Sequence, residues 1–315
     1  LFAENLNGPE QAWNLCAQLR SKVSPGLLIG IDQEGGKVQR LRAPFTELPP
    51  MASVGQTGDL DIARRVGRIL GTELGAVGIT LDFAPVLDLA LHPDSVIGDR
   101  SFHADPMLVA RLALALADEL ARQGVIACGK HFPGHGATAR DSHHVLPSAE
   151  LPLAELRASH LRPFIGARGL PMLMTAHVLI PAGDPELPAS LSPYWVDEIL
   201  RGELDYRGVV ITDELGMGAI AEQRTLEDTI LPLLKTSTDL FLIRDLHAAE
   251  DAVAIIHRAL EAGLTTAERV RRSAERVRAL KRSYAGRAHV ASSPEELAQL
   301  VGDPEDRAFA QSLVF

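Results

Sequence analysis

Three short stretches of this 315-residue chain concentrate the side chains able to do chemistry. The first runs Ile31-Asp32-Gln33-Glu34-Gly35-Gly36-Lys37-Val38-Gln39-Arg40. Asp32 leaves the apolar run, and two glycines let the backbone turn tightly with positive φ, with Arg40 nearby. A carboxylate accepting from two hydroxyls beside a donating guanidinium would hold a pyranose; an ordinary ion pair closing a loop fits the same spacing. The second stretch, Gly129-Lys130-His131-Phe132-Pro133-Gly134-His135-Gly136, is followed by Asp141-Ser142-His143 and His144, with His177 further on. So much imidazole raises the possibility of a metal site. Against it, Pro133-Gly134 lies between His131 and His135 and cannot sit mid-helix to present both rings on one face. A catalytic metal would also usually want carboxylate or cysteine ligands close by. The acid–base alternative needs one histidine held by one carboxylate, and Asp141 and His143 can meet in a loop in that way. A loop aspartate beside a solvated histidine has the same spelling. In the third stretch, Ile211-Thr212-Asp213-Glu214-Leu215, an acid closes an apolar run. Its position alone suits a nucleophile, a base or a structural ion-pair partner.

Each stretch begins where an apolar run ends. The runs Leu27–Ile31, Ile79–Phe83, Val125–Gly129, Pro171–Ala176, Val209–Thr212 and Asp239–Ile243 have the length of strands buried on both faces, as parallel strands under helices are. Helix signals fill the gaps. Asp105-Pro106 offers an N-cap and a first-turn proline ahead of Leu108, Leu112, Leu116 and Leu120, with Gly124 as the stop. Ile62, Val66, Ile69 and Leu70 make a second apolar stripe, and Thr265-x-x-Glu268 reads as a capping box before Val270, Ala274 and Val277. Strand–helix alternation of this period predicts an α/β protein with a parallel sheet, either doubly wound or a (β/α)8 TIM-type barrel. No G-x-G-x-x-G follows the first strand, and the polar residues gather just after strands, where barrels build their sites; the barrel is the better fit. The expected organisation is a barrel domain over 1–285 and a helical tail over 286–315. Six runs are two short of eight, so the chain as given is expected to lack the first strand or two, with Leu1-Phe2 as the tail of a seventh.

Bulk properties narrow the partners. A formal charge of −10 argues against nucleic acid, because phosphate contact needs a basic face. No run of 18 apolar residues is present to span a membrane, and no signal peptide is visible. Two cysteines, Cys16 and Cys128, are too few for a disulfide framework or zinc cluster; Cys128, inside an apolar run, is expected to be a buried thiol. A cytoplasmic location is expected.

Taken together, the motifs resemble glycoside hydrolase family 3, in its bacterial β-N-acetylhexosaminidase branch. The matching text, in the family's order, is DQEGGKVQR, FAPVLD at Phe83–Asp88, IGDRSF at Ile97–Phe102, KHFPGHG with DSH, MTAHV at Met174–Val178, and ITDELGM at Ile211–Met217. The resemblance implies a retaining exo-glycosidase acting through a covalent glycosyl-aspartate. By position, Asp213 would be the nucleophile and His143 the acid/base, supported by Asp141. Asp32, Arg40, Arg100, Lys130 and His131 would bind N-acetylglucosamine, with His177 and Met217 lining the pocket and Asp88 structural. No metal or other cofactor is implied. Muropeptide fragments would suit a histidine acid/base, which does not repel a leaving sugar that bears a lactyl carboxylate; phosphate as acceptor would suit it too. Competing expectations are a family 3 β-glucosidase, whose acid/base usually comes from a second domain that this chain has no room for, and a sugar-binding barrel without catalysis. The branch more often reads DDLSM where this chain has Asp213-Glu214-Leu215-Gly216-Met217.

Overall fold

In the computed structural model of the chain, residues 1–23, 26–89, 91, 95–138 and 146–314 are described. They divide into two compact units. The first comprises residues 1–87, 99–129 and 280–315, and the second residues 88–98 and 130–279.

In the first unit, β1 (Gly30–Ile31) pairs in parallel with β4 (Leu81–Asp82), and β4 with the start of β5 (Ile126–Phe132). A small antiparallel hairpin, β2 (Gln33–Gly35) with β3 (Val38–Gln39), grows from the end of β1. The helices Leu60–Val77 and Pro106–Arg122 pack against each other, and their stripes Val66, Ile69, Leu70 and Leu112, Leu116, Leu120 are buried. Gly67 permits the contact: a Cβ there would lie 2.2 Å from the Leu116 carbonyl oxygen. Asp105 caps the second helix as its sequence predicts, accepting from the N–H groups of Met107 (2.8 Å) and Leu108 (3.4 Å), with Pro106 in the first turn.

The strands of the second unit are Lys130–Phe132, the last three residues of β5, then β6 (Met172–Thr175), β7 (Val209–Glu214) and β8 (Leu240–Leu242). β6–β7 and β7–β8 are parallel, Thr175 standing opposite Thr212. Leu215, Ile220, Ile230, Leu233, Ala252 and Ile255 form the core between β7 and its following helices. Six predicted runs thus become six parallel strands among the described residues, most of them shorter than the runs themselves.

Two local expectations are corrected. Leu1 and Phe2 are not a strand; a 3₁₀ turn follows at Ala3–Asn5, although the Leu1 amine donates to the Gly30 carbonyl at 2.6 Å beside β1. The helix Ala267–Tyr284 is capped by Thr266, whose hydroxyl accepts from Arg269 N–H at 3.2 Å, while the Thr265 hydroxyl is turned to the Leu234 carbonyl. The tail carries the short helices Pro294–Leu300 and Pro304–Ser312. Among the described residues no helix is long and apolar enough to cross a membrane. Cys16 and Cys128 are both buried free thiols, and burial pushes Cys16 up to about 11.

Candidate active site

In the first unit, Asp32 follows β1 directly and Arg40 follows β3, so the hairpin carries the arginine back to the aspartate. Their charged groups stand 3.6 Å apart, partly exposed. Gln33, 3% exposed, fixes this return. Its amide oxygen accepts from the N–H groups of Arg40 (2.8 Å) and Leu41 (3.0 Å), its amide nitrogen donates to the Leu41 carbonyl, and its own N–H donates to Asp82. Gly35 must be glycine: φ is +110°, and a Cβ would stand 2.6 Å from the Pro49 carbonyl oxygen.

Arg100 is held by a residue that the motif contains but the sequence reading gave no role. Glu34, almost fully buried, accepts from Arg100 Nε and Nη2, both at 2.8 Å. This bidentate pair fixes the plane of the guanidinium. Glu34→Gln should therefore remove the charge from two charge-assisted bonds to the half-buried Arg100 guanidinium and cost about 2 kcal/mol. Urea titration should show a lower midpoint with unchanged slope; an unshifted midpoint would mean the pair has no structural weight.

In the second unit, β5 delivers Lys130 and His131, both buried. Asp88, fully buried, gathers the segment: it accepts from the His131 N–H (3.0 Å), from His131 Nδ1 (2.6 Å) and from the His135 N–H (2.6 Å). With Nδ1 committed to a carboxylate, the His131 ring is fixed in orientation and its Nε2 edge is turned away from Asp88. Burial opposes ionisation of Asp88, but the His131 and His135 contacts outweigh it and hold the carboxyl below its usual range. Asp88, expected to be structural, thus sets a ring assigned to the sugar.

Asp213 closes β7, and its Oδ1 accepts from the following N–H of Glu214 at 2.8 Å. Burial again pushes the carboxyl up; the imidazoles of His131 and His177, the Glu214 N–H and the Lys130 ammonium outweigh it and bring it below the ordinary range. The carboxyl is therefore ionised at neutral pH, as a nucleophile must be. His177 follows β6 with no exposure, and Met217 precedes the turn Gly218–Ala221. Both ring nitrogens of His177 are used within the protein, by Ser190 Oγ (2.7 Å) and the Glu214 carbonyl (3.1 Å). Asp141 and His143 lie outside the described residues. Among the described residues no group of three His, Cys, Asp or Glu side chains is placed to hold a metal.

The family model of the glycosyl hydrolase family 3 N-terminal domain matches residues 1–280. The chain belongs to glycosyl hydrolase family 3. Family membership makes it a glycoside hydrolase. A β-hexosaminidase of Chromobacterium violaceum is 41% identical over 261 residues, covering 80% of this chain and 73% of the relative. One from Neisseria gonorrhoeae is 46% identical over 226 residues, 69% of this chain and 62% of the relative. Among solved structures, a family 3 β-N-acetylglucosaminidase from Paenibacillus sp. FPU-7 matches with TM-score 0.92 and 38% identity over 99% of this chain and 61% of its own. NagZ from N. gonorrhoeae, in complex with N-trifluoroacetyl-D-glucosamine, matches with TM-score 0.78 and 35% identity over 99% and 88%. The chain thus spans less than two thirds of some of these relatives. The fold is of the (β/α)8 TIM-barrel class, with six parallel strands among the described residues.

Burial makes the second unit acid-sensitive. His135, His160 and His177 are all pushed down, chiefly by burial, so the folded protein keeps them neutral. A depressed folded value means that their stabilising contribution is present above about pH 6.5 and is lost as pH falls toward the folded values. Each adds up to about 1.4 kcal/mol per pH unit in that window. Asp88 and Asp213 add a second loss only below about pH 3.8. Glu73, in the first unit, works in the opposite sense: burial raises its carboxyl, favouring the fold at lower pH. Thermal melts should be level from pH 8 to 7 and decline from pH 6.5 to 5. Melts that stay level down to pH 5 would contradict three buried neutral imidazoles.

Proposed function

We propose that the chain is a retaining exo-β-N-acetylglucosaminidase that releases N-acetylglucosamine from cell-wall muropeptide fragments through a glycosyl-Asp213 intermediate. The observation that carries this reading is Asp213 itself: an ionised carboxylate at the end of a barrel strand, with Oδ1 anchored to Glu214 N–H and Oδ2 accepting no hydrogen bond from the described residues. The substrate class is supported by the relatives, a β-N-acetylglucosaminidase and NagZ holding an N-acylglucosamine. A cytoplasmic site of action fits two cysteines that are both buried as free thiols.

In the first step a carboxylate lone pair of Asp213 forms the bond to the anomeric carbon. The glycosidic C–O bond breaks, and protonated His143, oriented by Asp141, donates its proton to the leaving oxygen. In the second step neutral His143 takes a proton from water, the water oxygen attacks the same carbon, and Asp213 departs as carboxylate. Two inversions give retention. Asp32, Arg40, Arg100, Lys130 and His131 are assigned to the sugar, with Met217 at the pocket wall. The side chain of His177 supports the pocket, since its polar atoms are already engaged.

Leaving-group dependence tests the role of His143. His143→Ala should lower kcat/KM for alkyl and disaccharide N-acetylglucosaminides by about 10²–10³-fold, the usual worth of general acid catalysis. Activated nitrophenyl substrates, which leave without protonation, should lose much less in the glycosylation step. Equal losses for both classes would remove His143 from the acid's role.

A further inference from the structure

We propose that His177, set by Ser190, is a positioning residue for Asp213: it pins Glu214 so that Oδ2 is the oxygen presented to the anomeric carbon. The inference rests on the assignment of Asp213 as nucleophile.

The hydrogen-bond arithmetic leaves a single arrangement. The Glu214 carbonyl can only accept, so His177 Nε2, 3.1 Å away, carries a hydrogen and donates. The ring has no exposure, and although the carboxylates of Asp213 and Glu214 favour its protonation, burial outweighs them. A neutral ring with hydrogen on Nε2 has a bare Nδ1. The Ser190 hydroxyl, 2.7 Å from Nδ1, must therefore donate to it. Ser190 does not drift: its N–H donates to the Ala176 carbonyl (3.1 Å) and that of Ala189 to the Val178 carbonyl (2.8 Å), clasping both sides of His177.

The chain of contacts then runs from Ser190 to His177 to Glu214 and, through the Glu214 N–H, to Asp213 Oδ1 at 2.8 Å. A carboxylate with one oxygen held by a backbone N–H has its plane fixed, and the other oxygen keeps its lone pairs for the sugar.

The test uses 5-fluoro-N-acetyl-β-glucosaminyl fluoride on the full chain. In the trapping step a lone pair of Oδ2 forms the bond to C1 and the C1–F bond breaks. Fluoride leaves with its electron pair and needs no proton, so the step reports on Asp213 separately from His143. Ser190→Ala should slow labelling of Asp213 by about 10- to 100-fold, since small misplacements of reacting groups cost up to about 10² in rate. The Kd for N-acetylglucosamine should change less than about twofold. His177→Ala should slow labelling as much or more, and His177→Gln, whose amide N–H₂ can still donate to the Glu214 carbonyl, should recover part of the loss. Nitrogen-15 spectra of the wild type should place the hydrogen of His177 on Nε2 from pH 6 to 8, which needs no variant to fold. Hydrogen on Nδ1, labelling at the wild-type rate in both alanine variants, or weakened sugar binding with unchanged labelling would overturn the positioning role. A wild-type enzyme labelled at a residue other than Asp213 would overturn the nucleophile assignment and this inference with it.

Discussion

Asp213→Asn is expected to lower kcat by about 10⁴–10⁶-fold on every substrate, whatever its leaving group, in line with the cost of deleting the nucleophile from a catalytic unit. The amide has no anionic oxygen with which to form a glycosyl ester. Its carbonyl oxygen can still accept the Glu214 N–H that Asp213 Oδ1 accepts now, so the backbone at the end of β7 keeps its anchor. The fold should therefore survive, and the thermal midpoint at neutral pH should move by only a few degrees. The independence from leaving group separates this residue from His143, whose loss should spare activated phenols. A smaller cavity-forming variant, Asp213→Gly, adds a chemical check: azide entering from the vacated side should give the α-glycosyl azide from a β-substrate. Activity within tenfold of wild type in Asp213→Asn, or a β-azide from Asp213→Gly, would remove Asp213 from the nucleophile's position.

The second large effect concerns substrate choice. β-N-acetylglucosaminides should be preferred over the matching β-glucosides by about 10⁴-fold in kcat/KM, or about 5.5 kcal/mol of transition-state stabilisation. The physical ground is that the donors assigned to the sugar are held before it arrives. Arg100 is gripped by Glu34 through two 2.8 Å bonds, and His131 is oriented by Asp88. Fixed donors in a buried setting cannot relax toward an analogue that lacks the partner group, and each one left unpaired costs its desolvation. Flexible surface donors would accept either sugar. Because general acid–base and nucleophilic groups supply the whole reaction in this reading, a chelator should leave both rates unchanged. Comparable kcat/KM values for the matched pair, or loss of activity with chelator, would overturn the substrate assignment.

Much of the architecture was legible in the sequence because its causes are local. Strands buried on both faces read as unbroken apolar runs, so all six were found, and Asp105-Pro106 announced its helix because capping depends on neighbours two and three residues away. The hairpin after β1 was missed, since strands of three and two residues carry too little pattern to be seen. The capping residue at Thr265-Thr266 was misplaced by one because both residues offer a hydroxyl, and a bond to Leu234, 31 residues distant, takes the first away from the helix.

The site divides in the same way. Residue type and order alone determined the family and which side chains to assign to the reaction, since both are preserved in the linear text of the motifs. What only the tertiary structure decided is how those side chains are held. Glu34 meets Arg100 across 66 residues, Asp88 meets His131 across 43, and His177 reaches the Glu214 carbonyl across 37. No periodicity or capping rule connects positions so far apart. Their pairing is fixed by the parallel strands that bring the carboxyl ends of distant segments together, and by the burial that forces every polar atom there to find a partner.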